Sequence, residues 1–226
     1  MIFFTHVPKT GGSTINEAAR RLLKGDAAFV KRPGDLEGLP DTLRYIGGHV
    51  RFTESVERFP EANFIGSLRE PLHRVLSHYM MFLRDDPESA GTSFREFYAR
   101  HITKKKRDNL QCRFLCGEPS ASKAFESIQR NYALVWTVSR TDDIWPIVCE
   151  MLTGKKISEP APRMMVADNA PRDYDTYLPS EDAAFVRGDN KQDTILHEWI
   201  AAAYNGLFVS YSIGRAYTSP LRNQTR

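Results

Sequence analysis

The sequence predicts an α/β fold, one domain over residues 1–226 with a central parallel sheet flanked by helices. Three observations predict it. Short apolar runs at residues 2–5, 45–50 and 63–68 are each halted by glycine or proline, as buried strands are. Segments with helical periodicity follow the first and third of these runs, the strand-then-helix alternation of a parallel sheet. The chain of 226 residues, 41% hydrophobic and 26% charged, has the composition of an ordinary globular domain and is long enough to bury a substantial core.

Residues 2–5, Ile-Phe-Phe-Thr, form the first expected strand, broken by Pro8 and Gly11-Gly12. Ile15, Ala18, Ala19, Leu22 and Leu23 then fall at helical spacing from Ser13, and Thr14 with Glu17 has the form of a capping box. The strand at 63–68 ends at Arg69-Glu70-Pro71, where Pro71 suits a first helical turn. Leu72, Val75, Leu76, Tyr79, Met80 and Leu83 mark one face of that helix. Ser93 with Glu96 opens a further helix, residues 121–130 and 144–152 form two more, and 133–138 reads as a late strand. A long loop is expected over 153–179 and a last helix over 193–204. Trp136, Trp145, Trp199, Phe94, Phe97 and Tyr98 read as core.

Net charge is only +3, so the chain is not expected to bind nucleic acid through a broad basic surface, and a local anion site remains open. No stretch approaches the ~18 apolar residues of a membrane span, and the N-terminus is too short in apolar residues for a signal peptide. A cytoplasmic protein is expected. Cys112, Cys116 and Cys149 are an odd set without a disulfide pattern and read as reduced thiols. Cys112 and Cys116 share a helix face with no second ligand pair, so no metal is expected. The run Lys104-Lys105-Lys106-Arg107 reads as a solvated turn.

Chemistry concentrates in His6-Val7-Pro8-Lys9-Thr10-Gly11-Gly12-Ser13-Thr14. Glycines let backbone approach an anion, and a helix start presents free N–H groups at the positive end of its dipole. Lysine adds charge and the hydroxyls add donors. The ATP-binding pattern G-x-x-x-x-G-K-[ST] places lysine after the glycines, whereas Lys9 precedes them, and no G-x-G-x-x-G follows the strand.

This loop resembles the 5′-phosphosulfate loop of the sulfotransferases that use 3′-phosphoadenosine 5′-phosphosulfate (PAPS), in the carbohydrate branch that includes heparan sulfate 2-O-sulfotransferase. The resemblance implies a P-loop-like nucleotide-binding architecture, with Lys9 on the 5′-phosphosulfate and Thr10, Gly11, Gly12, Ser13 and Thr14 wrapping it. It also implies a 3′-phosphate site in Arg69 and Ser77, an arginine ending a strand and a serine eight residues later on the helix. Arginine can grip phosphate bidentately and the serine can add a hydroxyl. A looser likeness continues through residues 108–115 and 190–199.

Gly47-Gly48-His49-Val50 resembles the family's histidine-bearing segment, which makes His49 the expected general base and Lys9 the group that meets charge on the bridging oxygen. The heparan sulfate enzyme carries a second histidine two residues earlier, where this chain has Gly47. His6 is a second candidate base or a residue that orients the loop. The implied activity is transfer of a sulfuryl group to the hydroxyl of an acceptor, expected to be a carbohydrate, without metal and with adenosine 3′,5′-bisphosphate as product. An ATP-dependent phosphotransferase would need a carboxylate for magnesium, and no strand ending in aspartate supplies one. A non-catalytic nucleotide- or glycan-binding module of the same fold is the other alternative.

Overall fold

The computed structural model describes residues 1–89, 91–104, 107–156, 174 and 176–210. Strand β1 (Ile2–Thr5) leads through a tight loop into α1 (Gly12–Leu23), then β2 (Ala27–Val30), β3 (Tyr45–Gly48), α2 (Phe52–Arg58), β4 (Asn63–Leu68) and α3 (Pro71–Asp85). The short α4 (Phe94–Phe97) runs on into a π-helical turn, Tyr98–Thr103. Then follow α5 (Leu110–Cys116), α6 (Ala121–Asn131), β5 (Tyr132–Thr137), α7 (Thr141–Thr153), α8 (Ser180–Asp189), α9 (Lys191–Tyr204) and β6 (Leu207–Val209).

The sheet order is β2-β3-β1-β4-β5-β6. The first five strands are mutually parallel and β6 joins the edge antiparallel to β5. Alternation along β1 feeds two cores. Phe3 packs with Ile46 and Phe64 beneath α6 and α9, while Ile2 and Phe4 pack with Tyr45 and Ile65 beneath α1 and α7. A third apolar cluster joins α3, α4 and α8 through Leu72, Phe97 and Val186.

The registers bring the strand ends together: Thr5, the last residue of β1, pairs with Gly48 at the end of β3 and with Gly66 of β4, which runs on to Leu68. The segments leaving β1, β3 and β4 therefore emerge side by side at the carboxyl edge, where parallel α/β sheets bind ligands.

Two expectations fail. Helix α1 begins at Gly12, behind Gly11 in the left-handed conformation, so Thr14 lies inside the first turn and cannot cap it; Glu17 instead pairs with Arg20 and Arg21. Trp199 is 41% exposed on the outer face of α9, edge-on to Phe125, whereas the other expected core aromatics are buried. Of the expected 153–179 loop, residues 157–173 and 175 lie outside the described residues, as do Lys105 and Lys106 of the basic run. No helix among the described residues is long and apolar enough to cross a membrane.

Candidate active site

Residues from three strand ends line one cavity of about 240 Å³: Pro8, Lys9, Gly11, Gly12 and Ser13 after β1, His49 after β3, and Arg69 after β4. Ser77, Met81 and Arg84 line it from α3, and His6 lines it as well.

The loop is held in shape by its own polar groups. Thr10 is buried, and its hydroxyl donates to the Val7 carbonyl at 2.8 Å and lies 2.8 Å from the Ser67 hydroxyl on β4. Its side chain therefore ties the loop to the sheet, and Thr10 is not among the residues that line the cavity. Thr14 lies in the first turn of α1 and is not among the residues that line the cavity. Lys9 and Gly11 both sit in the left-handed region, at φ 72° and 77°. That conformation costs a lysine about 1–2 kcal/mol, and strain of this kind gathers at ligand clamps. Gly12 is required by contact: a Cβ there would fall 2.1 Å from the His6 ring. The start of α1 has no side-chain cap, and its first residues, Gly12 and Ser13, line the cavity.

Across the cavity, Arg69 is positioned by a residue distant in sequence. Its N–H donates to Gln111 Oε1 at 2.8 Å, and Gln111 Nε2 returns a bond to the Arg69 carbonyl at 2.9 Å. Gln111 is fixed in turn by buried Asp193, which accepts from the N–H groups of Gln111 and Cys112 at 3.0 and 2.8 Å. The Arg69 guanidinium reaches the Lys9 carbonyl at 3.4 Å and lies 5.0 Å from the Tyr174 ring.

Cations crowd this space. Lys9 Nζ meets the Met81 sulfur at 3.5 Å, and among the described residues neither Lys9 nor Arg69 has a carboxylate within ion-pair distance. Burial, then the fields of Arg84 and Arg69, hold the Lys9 pKa below its ordinary value, with Asp85 opposing. Like charges pressed together without a counterion are what a bound polyanion would relieve.

His49 lines this cavity and a neighbouring one. Its Nδ1 lies 2.9 Å from the His6 carbonyl oxygen, which can only accept, so Nδ1 carries the hydrogen and Nε2 the lone pair. Loss of hydration lowers its pKa, the His6 carbonyl opposes this, and Lys31 and Arg107 lower it further. Its ring is 4.5 Å from that of His6. On the other side of the two rings opens a second cavity of about 380 Å³, lined by Asn16, Glu17, Arg20, Phe29 and Lys31.

Thus Lys9, Gly11, Gly12, Ser13, His49, Arg69 and Ser77 converge, while Thr10 and Thr14 do not reach the cavity. Sequence reasoning missed Gln111, Asn16, Tyr45 and Arg84. Only Arg84, two turns beyond Ser77 on one helix face, left a spacing signal. Cys112 and Cys149 are buried and Cys116 is half-buried.

The fold is that of a sulfotransferase. The chain superposes on the crystal structure of a sulfotransferase from Alicyclobacillus acidocaldarius with a TM-score of 0.54, covering 90% of this chain and 98% of that one at 16% identity. In sequence it is 26% identical over 187 residues to heparan sulfate 2-O-sulfotransferase hst-2 of Caenorhabditis elegans, a match covering 64% of this chain. The match spans 57% of the length of that relative. The structural comparison gives the fold, and the likeness to the carbohydrate branch of the sulfotransferases comes from the sequence comparison. No family model matches the chain.

Proposed function

We propose that the chain transfers the sulfuryl group of PAPS to a hydroxyl of a carbohydrate acceptor. The observation that carries this reading is the convergence of a strained lysine-glycine loop, Arg69, Ser77 and His49 on one cavity, where Lys9 and Arg69 have no carboxylate partner among the described residues. The residues fit a donor with phosphate at both ends: α1 N–H groups and Lys9 at the 5′ side, Arg69 and Ser77 at the 3′ side. PAPS supplies an activated sulfuryl group.

The chain's own groups then have separate tasks. His49 Nε2 takes the proton of the attacking hydroxyl, which enters from the larger cavity beside Phe29 and Lys31. Lys9 and the N-terminus of α1 hold the negative charge that grows on the departing phosphate. Gln111 keeps Arg69 in place so that the donor is fixed before attack. The chemistry requires no metal.

Thermal unfolding with adenosine 3′,5′-bisphosphate, run beside ADP with magnesium, tests the donor. At ~100 times its dissociation constant the bisphosphate should add about 2.7 kcal/mol, a rise of several degrees. A larger rise with ADP and magnesium would favour the phosphotransferase. Transfer of radiolabelled sulfate from PAPS to a panel of glycans then tests the acceptor.

A further inference from the structure

A hydrogen-bond chain beside the two cavities has no part in the reaction as described above. Buried Tyr45 donates its hydroxyl to Asn16 Oδ1 at 2.6 Å. In this arrangement the amide oxygen of Asn16 accepts from Tyr45 and the amide nitrogen is turned to His6. Asn16 Nδ2 lies 3.2 Å from His6 Nδ1. An amide nitrogen donates and does not accept, so Nδ1 of His6 holds a lone pair and the ring hydrogen sits on Nε2. This is the opposite tautomer to that of His49, 4.5 Å away.

The His6 ring is clamped. It stacks on Phe4 at 5.3 Å with planes 8° apart, and its Cδ2–Nε2 edge lies against Gly12, where a Cβ would come within 2.1 and 2.3 Å of those atoms. Gly47 leaves room for the Asn16 and Tyr45 pair: a Cβ there would fall 2.2 Å from Asn16 Oδ1 and 2.7 Å from the Tyr45 hydroxyl. Among the described residues no protein acceptor meets Nε2, and the ring lines both cavities.

We propose that His6 is a neutral hydrogen-bond donor of the reaction, its Nε2–H serving an oxygen of the sulfuryl group in transfer, with Asn16 and Tyr45 as the positioning residues that set its tautomer. The proposal rests on the sulfuryl-transfer reading. The acceptor oxygen forms its bond to sulfur as the bond from sulfur to the 5′-phosphate oxygen breaks, that oxygen keeping the electron pair. The acceptor's proton passes to His49 Nε2, and His6 keeps its own proton throughout. A neutral donor can steady charge on the transferring group without competing for the proton His49 must take. Burial, with His49 and Lys9 alongside, brings the His6 pKa to about 3, so the ring stays neutral in the working range. The other charged groups facing these cavities are Glu17 and Arg20 of α1, Lys31, Arg69 and Arg84.

Nitrogen-15 NMR of the full chain labelled at histidine tests the tautomer directly, with His6 assigned from its loss in His6→Gln. The expected result is a pyridine-type Nδ1 and a pyrrole-type Nε2 from pH 5 to pH 8, reversed in Asn16→Asp because a carboxylate can only accept. In turnover, His6→Asn should be slowed about 10²-fold or more. His6→Gln should recover part of that loss, because its longer amide places a donor near the Nε2 position. Tyr45→Phe, which lets the Asn16 amide turn over, should give mixed tautomers and an intermediate rate, and it covers the case in which His6→Asn fails to fold. Stabilisation by adenosine 3′,5′-bisphosphate should persist in every variant. A wild-type His6 protonated at Nδ1, or a His6→Asn variant as fast as wild type, overturns the proposal. A wild type that is not stabilised by the bisphosphate overturns the donor reading instead, and the NMR result then decides the hydrogen-bond chain by itself.

Discussion

Nδ1 of His49 donates to the backbone carbonyl of His6 at 2.9 Å, so the residue that follows the first strand orients the ring that follows the third. The bond leaves His49 Nε2 unprotonated toward the cavity, as a general base requires. It needs no side chain from His6, because the main chain supplies the acceptor.

Replacing His49 with alanine should therefore lower turnover by about 10²–10⁴ while adenosine 3′,5′-bisphosphate still raises the melting temperature. Loss of both together would mean that the ring holds the cavity rather than serving as its base.

The same ring should set the acid limb of the pH–rate profile. A base works unprotonated, and its surroundings lower the His49 pKa, so the limb should fall below the ordinary histidine value of about 6.5. Lys31 contributes to that lowering, and Lys31→Met should move the midpoint upward. A midpoint that moves down, or stays fixed, would separate the limb from His49.

Gln111→Leu should weaken bisphosphate binding without touching the ligand. The buried amide that brackets the Arg69 backbone at 2.8 and 2.9 Å would be lost, leaving that N–H and carbonyl unpaired. Calorimetric titration should show roughly a tenfold loss or more, with far-ultraviolet dichroism unchanged. Binding equal to wild type would show that Arg69 holds its place unaided.

Acid should destabilise the fold through His78, which is half-buried. His78 has a pKa of about 3, depressed by burial first and then by Arg107 and Arg74. The unfolded chain takes up its proton below about pH 6.5, and the folded chain does so only near pH 3. Stability is thus fully present above about 6.5 and is lost as pH falls toward 3, by on the order of 3 kcal/mol after allowance for partial solvent access. Urea unfolding of His78→Gln beside wild type should show a shallower decline over that window. Parallel declines would place the acid sensitivity elsewhere.

Most strands and long helices could be read in the sequence because their causes are local: apolar runs, glycine breaks, Pro71 at a first turn, and Ser93 with Glu96 as a capping box. Strand β2 and helix α8 were not legible. Ala27–Val30 is too short and too exposed to alternate, and α8 buries little beyond Ala183 and Val186 on its apolar side. Edge strand β6 exists only because β5 offers an unpaired side, which is a property of the sheet and not of residues 207–209.

The sequence by itself determined the alternating α/β plan, the loop with Lys9 and its glycines, and the identity of Arg69, Ser77 and His49, because residue type and short spacing carry that information. Only the tertiary structure decided that Thr10 turns inward to Ser67, that Gln111 and Asp193 brace Arg69, and that Tyr45, Asn16 and His6 form one hydrogen-bond chain. Those partners lie from 10 to 82 residues apart. Whether a hydroxyl, amide or imidazole faces a ligand or another side chain depends on what the folded sheet brings within three ångströms of it.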